Sequence, residues 1–305
     1  MATLRQTFSE IADAIRAKGV SGQTMKPIEM ASKIGEIQTG GGSEDYGYLT
    51  FTAEEATTLT LNQNGGIAPH KLLKSTDGVT WTKWENPATN GIALNAGESV
   101  YIKADEDALN KTATGETNFN SFKSTGKVGC SGDIMSIVNI SNSNYDYFLG
   151  YLFKEMSNLT HAPELKSMNA VVRCYSNMFD HCTSLIKPPS VVCVNSCEVG
   201  CNGMFYNCNK MTTAPELPAT KLANACYQWM FGACSSLTKA PVLPATTLAP
   251  WCYSYMFKGC TSFTQAPELP ATTLATRCYS DMFKECTSLT TAPQLPATTL
   301  ANYCY

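Results

Sequence analysis

Apolar residues near the start of the chain recur every three or four positions. This spacing places them on one face of a helix, and a break at residues 19–22 separates two such stripes. Pro27 suits the first turn of the second helix. The pattern predicts a short helical hairpin over residues 1–39, followed by a Gly-rich linker over residues 40–45. The first stripe consists of Leu4, Phe8, Ile11 and Ile15.

Between residues 46 and 140 the apolar residues instead alternate with polar ones. A period of two is typical of a strand with one buried face, and Gly, Asn and Asp turns separate the segments. This pattern predicts a small antiparallel β-sandwich that acts as a spacer. The alternating pairs are Leu49 and Phe51, Leu59 and Leu61, Val79 and Trp81, Ile92 and Leu94, and Val100 and Ile102.

From about residue 141 to residue 305 the sequence repeats with a period of 26 residues. Each unit contains a phenylalanine and, ten residues later, a proline. A fixed period of this size predicts a solenoid in which each unit buries its apolar face by stacking on the next. The phenylalanines are Phe153, Phe179, Phe205, Phe231, Phe257 and Phe283.

Within one unit the apolar positions predict a helix followed by a short extended segment. The spacing i, i+1, i+4, i+5, i+8 is typical of a helix with one buried side. Proline removes a backbone donor from the extended segment, so we expect only thin strands there. The positions in one unit are Cys252, Tyr253, Met256, Phe257 and Cys260.

The repeat unit resembles the leucine-rich repeats of BspA-like surface antigens. The features that carry the resemblance are Met256-Phe257, Cys260, Ser262-Phe263 and Leu269-Pro270. The resemblance implies that residues 141–305 form an α/β leucine-rich-repeat-like solenoid. Together with the helical hairpin and the β-sandwich, this gives a multidomain protein.

The N-terminal region carries a second resemblance. In residues 1–37, the sequence IADAIRAKG is followed by a Pro-Ile-x-Met-Ala segment, Pro27 to Ala31. This arrangement is similar to an N-terminal helical module of phage tail and tail-associated proteins. The resemblance implies that residues 1–39 attach the chain to other virion proteins.

Charge and composition exclude several classes of protein. With 22 Lys and Arg against 25 Asp and Glu, the chain has no basic field to hold nucleic acid. No apolar stretch reaches the ~20 residues of a membrane-spanning helix, so we expect no membrane insertion. The first residues also lack the basic start and apolar stretch of a secretory signal, so export by that route is not expected.

The 14 cysteines and three histidines are the candidate chemical groups. Cys193, Cys197 and Cys201 are spaced by four, but no other unit keeps this trio. We expect reduced cysteines buried as small apolar side chains, with disulfide bonds or zinc as the alternatives. No catalytic residue, metal ligand or cofactor is predicted, because no nucleophile or metal spacing accompanies His70, His161 or His181.

Positions that differ between units are predicted to face outward. Two such positions, six and two residues before each phenylalanine, are four apart and would share one exposed helical stripe. This stripe is rich in Trp, Tyr and Arg, a composition typical of recognition surfaces. Packing against a neighbouring subunit and sequence drift are the alternatives. The candidate ligand-binding residues are Tyr151, Arg173, Asn177, Trp229, Trp251, Tyr255, Arg277, Asp281 and Tyr303.

These features predict a non-enzymatic, tail-associated phage virion protein. Residues 1–39 would attach it, and the solenoid would present the stripe to a host-surface glycan or protein. A homo-oligomer is expected, because a solenoid without a capping unit leaves an apolar end. The alternative is a bacterial cell-surface adhesin of the BspA-like class. A polysaccharide-cleaving enzyme ranks last, because the acidic positions Glu216 and Glu268 alternate with Val242 and Gln294.

Overall fold

The structure is a computed structural model that describes residues 47–63, 72–105, 120–137, 149–165, 174–190 and 198–305. Gly47–Tyr305 form one compact unit. The predicted helical hairpin of residues 1–39 and the linker of residues 40–45 lie outside the described residues. The predicted domain boundaries therefore stay predictions.

Two β-sheets form the first part of the described chain. The larger sheet has the order β4-β3-β6-β1-β8-β9 and the smaller one β5-β2-β7. Neighbouring strands are antiparallel except β8 and β9, which are parallel. The strands are β1 (Leu49–Ala53), β2 (Thr57–Gln63), β3 (Leu72–Ser75), β4 (Thr82–Lys83), β5 (Ile92–Leu94), β6 (Ser99–Ala104), β7 (Asn120–Ser124), β8 (Val128–Gly132) and β9 (Leu159–His161).

Alternating burial determines the register of the central strand β1. Leu49 and Phe51 are fully buried, whereas Thr52, which lies between Phe51 and Ala53, is exposed. Phe51 lies opposite Val100 of β6 on one side. It lies opposite Cys130 of β8 on the other. Because side chains alternate between the faces of a strand, a slip of one residue would expose this whole apolar face.

One predicted strand pair is wrong. Val79 is 81% exposed and precedes β4 in a loop. The carboxylate of Asp77 accepts hydrogen bonds from the backbone N–H groups of Val79, at 2.8 Å, and Thr80, at 2.7 Å. These local bonds replace the sheet ladder, which explains why the apolar alternation at Val79 and Trp81 does not produce a strand.

The two sheets share one core with the first repeat unit. The rings of Phe51 and Phe122, one from each sheet, have centroids 4.8 Å apart. Phe153 of the first unit lies 5.8 Å from Phe122 and 6.3 Å from Phe51. Strand β9, which also belongs to that unit, extends the larger sheet by pairing with β8. The sheets thus cover the first end of the repeat region.

The predicted α/β leucine-rich-repeat-like solenoid is wrong. The described residues contain no α-helix, and their one helical segment is a 3-10 helix at Ile134–Ile137. Beyond His161 the strand pairing between described units is limited to isolated parallel bridges, so no continuous sheet runs through the repeats. The segment predicted as a helix at residues 252–260 is a succession of turns.

Alternate backbone amides in these turns bond to different partners. The N–H groups of Tyr253, Tyr255 and Phe257 donate to carbonyls 25 residues later in the next unit, at 2.9 to 3.0 Å. The intervening N–H groups of Ser254 and Met256 donate to the carbonyl three residues earlier, at 3.1 Å. The backbone of each unit is therefore hydrogen-bonded directly to its neighbour.

A left-handed residue at every fourth position explains the absence of a helix. Trp251, Tyr255 and Gly259 have φ of 61°, 58° and 75°. Positive φ interrupts a right-handed helix and is the feature of the third residue of a type II turn. An α-helix would rotate its apolar stripe by about 40° in every four residues. An apolar spacing of four that continues without drift therefore indicates a succession of turns and not an α-helix.

The repeated phenylalanines form a single stacked column. Successive ring centroids are 5.3 to 6.0 Å apart, and successive planes differ by at most 7°. The first five rings are fully buried. Stacked aromatic pairs contribute about 0.5–1.5 kcal/mol each beyond the burial of their area. The column therefore connects the sheet core to the far units.

Replacement of a central ring tests this column. Phe205→Ala removes a fully buried ring with stacked neighbours at 5.4 and 5.7 Å. We expect the free energy of unfolding to fall by about 3–5 kcal/mol in urea titrations. The control Val242→Ala, at a residue 80% exposed, should change it by less than about 0.5 kcal/mol. Equal effects of the two changes would contradict the column's structural role.

Two equivalent positions in adjacent units test the left-handed turns. Ala233 has φ of 58° and Gly259 has φ of 75°. Gly259→Ala should cost about 1 kcal/mol of unfolding free energy, because an added Cβ has room but the backbone is unfavourable. Ala233→Gly should stabilise by up to about 1 kcal/mol for the converse reason. The control Ala249→Gly, outside these positions, should destabilise; shifts of the same sign at Ala233 and Ala249 would contradict the turn geometry.

Candidate functional site

The candidate ligand-binding residues lie at the left-handed turn positions. The eight that are described all have positive φ, and Arg173 lies outside the described residues. We call the positions six and two residues before each phenylalanine the outer stripe. The turns, and not the predicted helix, give these positions a common side of the backbone. The described members are Tyr151, Asn177, Trp229, Trp251, Tyr255, Arg277, Asp281 and Tyr303.

Among the described candidate residues, exposure is lowest at Tyr151 and highest at Tyr303. Tyr151 in the first unit is only 8% exposed, so it presents little surface to a ligand. Trp229, Tyr255 and Arg277 are half-buried, and Tyr303 is 71% exposed. The accessible part of the stripe is therefore in the later units.

Aromatic side chains two residues before the phenylalanines stack along the repeat direction. The rings of Trp229 and Tyr255 are 4.3 Å apart and differ in plane by 5°. Tyr206 packs its edge against Trp229 at 5.9 Å, and the Lys258 amine lies 5.3 Å from the same ring. Stacking covers the facing sides of Trp229 and Tyr255, so these two rings present mainly their edges outward.

A second column lies six residues before the phenylalanines. The guanidinium carbon of Arg277 lies 4.4 Å from the ring centroid of Trp251 and 4.6 Å from that of Tyr303. These three residues occupy the same position in successive units. An arginine between two rings is stabilised by cation–π interaction on both faces.

Acidic residues near the stripe are paired with lysines. Asp281 lies 3.4 Å from Lys284, and Glu285 lies 3.6 Å from Lys258. Desolvation acts to raise the pKa of Asp281, but hydrogen bonds from Ser280, Lys284 and Tyr255 lower it below its ordinary value. Asp281 is therefore ionised at neutral pH and already balanced by a cation.

Sequence reasoning missed a third series of left-handed positions, two residues after each phenylalanine. His181 belongs to it, and its Nδ1 lies 2.5 Å from the buried carboxylate of Asp180. Lys154 lies 3.0 Å from the other oxygen of Asp180. In the sequence this series lies four residues after the second position of the outer stripe, so it continues the same spacing of four.

A Thr-His-Glu cluster forms where the sheets meet the repeats. His161 Nδ1 lies 2.9 Å from the hydroxyl of Thr160 and 3.4 Å from the carboxylate of Glu54. A catalytic triad places the nucleophile and the acid at opposite nitrogens of the imidazole. Here both contact the same nitrogen, and Thr160 is only 3% exposed. This geometry is that of a structural contact and not of a nucleophilic triad.

Eleven of the described cysteines are free and buried, and five of them form a further column. Each cysteine three residues after a phenylalanine donates its thiol to the carbonyl of the phenylalanine in the preceding unit, as in Cys234 to Phe205 at 3.0 Å. Burial raises the pKa of Cys234 to about 12. The column consists of Cys182, Cys208, Cys234, Cys260 and Cys286.

The predicted reduced state is wrong for Cys201, which is disulfide-bonded. Cys193 and Cys197 lie outside the described residues.

Among the residues that the structure describes, no group of three His, Cys, Asp or Glu side chains is arranged to hold a metal ion. The same residues include no helix long and apolar enough to cross a membrane.

No family model, curated protein or solved structure matches the chain. The resemblances to BspA-like repeats and to a phage tail module therefore stay predictions. The geometry of the described residues carries the functional argument.

Proposed function

We propose that the protein binds a host-surface saccharide or protein through the outer stripe, as a non-enzymatic component of a phage tail. The observation that carries the proposal is the alignment of Trp, Tyr and Arg side chains in stacked columns at the later units. These three residue types contribute most to binding energy at protein interfaces. Their alignment produces an elongated surface that suits an extended ligand.

Pre-organisation supports this proposal. Trp229 and Tyr255 are stacked on each other, and their backbone N–H groups bond to the next unit at 3.0 Å. Side chains fixed in this way lose little conformational entropy when a ligand binds. The stripe therefore has the rigidity of a recognition surface.

The attachment part of the proposal has a different basis. Residues 1–39 would bind other virion proteins, because their sequence resembles a phage tail module. A homo-oligomer would present several stripes together, and linked sites increase avidity without new contacts. Both statements concern assembly and are independent of the stripe's contacts.

Binding of the full chain to a glycan array and to whole bacterial cells tests the proposal. The triple variant Trp229→Ala, Trp251→Ala, Tyr255→Ala should bind at least about 10-fold more weakly than the unmodified protein, since each lost aromatic anchor is worth about 2 kcal/mol. The control Trp81→Ala removes a ring that lies under Lys103 on the larger sheet, away from the stripe. It should leave binding unchanged.

The unfolding midpoints of both variants establish that the compared proteins are folded. Equal binding by the unmodified protein and a folded triple variant would show that the stripe is not the recognition surface. Failure of the unmodified protein to bind any glycan or cell would refute the proposed function.

A further inference from the structure

The guanidinium of Arg277 is held so that its faces are covered and its edge is open. Its guanidinium lies between the rings of Trp251 and Tyr303, at 4.4 and 4.6 Å from their centroids. Its backbone N–H donates to the carbonyl of Asn302 at 2.9 Å, which fixes the start of the side chain. The five N–H donors of a guanidinium lie in its own plane. With both faces occupied by rings, these donors point to the edge of the column.

Arg277 differs from the lysines beside the outer stripe in its ion pairing. Lys258 is paired with Glu285 at 3.6 Å and Lys284 with Asp281 at 3.4 Å. Within the part of the chain that the structure describes, no carboxylate lies within 4.0 Å of the Arg277 guanidinium. Its positive charge is therefore available to a ligand.

The geometry of the free donors selects the ligand chemistry. A planar guanidinium binds a carboxylate through two parallel hydrogen bonds, and this pairing is both stronger and more directional than contact with a neutral hydroxyl. Stacking between rings holds the guanidinium plane in place, so less side-chain entropy is lost on binding. Trp229 carries an indole N–H that can donate to a sugar hydroxyl, and the hydroxyl of Tyr255, which donates to Asp281, can accept from one.

We infer that Arg277 binds the carboxylate of an acidic sugar in the host-surface ligand. This inference rests on the proposed function and specifies its ligand class. A sialic acid and a uronic acid share the required carboxylate. The acidic sugar lies at the edge of the Trp251–Arg277–Tyr303 column, and the neighbouring neutral sugars contact Trp229 and Tyr255.

Matched pairs of saccharides on the array test the inference and distinguish the two sources of the carboxylate. One pair is 3′-sialyllactose and its methyl ester, and the other is trigalacturonic acid and its methyl ester. The unmodified full chain should bind the acidic member of one pair at least about 10-fold more tightly than its neutral partner, the effect of a charge-assisted hydrogen bond of about 1.5 kcal/mol.

Three variants locate this preference. Arg277→Gln should bind acidic and neutral members equally, and Arg277→Lys should recover only part of the preference, because it keeps the charge without the planar fork. Lys239→Gln removes the same charge from an exposed lysine outside the outer stripe and should keep the preference. This control separates a site at Arg277 from a general effect of net charge.

The outcomes separate this inference from the proposed function. Binding that is confined to neutral or phosphorylated glycans, or an acid preference that survives in folded Arg277→Gln, would overturn the inference and leave the proposed function standing. A preference lost equally in Lys239→Gln would also overturn it. If the unmodified protein binds no glycan and no cell, both fall together.

Discussion

The hydrogen bond between equivalent turns of adjacent units is the interaction on which the repeat region depends. Its donor and acceptor are 25 residues apart, as in Phe231 N–H to the carbonyl of Met256 at 2.9 Å. Alternate amides can reach the next unit only because every fourth residue is left-handed. These bonds set the separation of the units, and the separation in turn places the phenylalanine rings, the buried thiols and the outer side chains in columns.

The same backbone geometry places the outer stripe at left-handed positions. A non-glycine residue in the left-handed region costs about 1–2 kcal/mol. Gly203 occupies one position of the stripe, with φ of 58°, so the turn accepts glycine there. Trp229 and Tyr255 occupy the equivalent position of the next two units at a higher backbone cost. The stacked phenylalanine core offsets this cost.

The period of 26 residues predicted the residues that form columns, because equivalent positions must stack whatever the local conformation. The helix was wrong because apolar residues spaced by four satisfy both an amphipathic helix and a succession of turns, and only the absence of drift distinguishes them. The burial of Tyr151 was missed because it depends on tertiary packing that the local pattern does not encode. The pairing of Lys258 with Glu285 likewise needed three-dimensional information.

The central claim is that the turns bond between units and do not form helices. Scalar couplings across hydrogen bonds, measured by NMR on the isotope-labelled protein, identify the acceptor of each amide directly. The structure predicts a coupling from the Phe231 amide nitrogen to the carbonyl carbon of Met256, and one from the Met230 amide to the carbonyl of Tyr227. A coupling from the Phe231 amide to the carbonyl of Tyr227, four residues earlier, is the signature of an α-helix and would contradict the account.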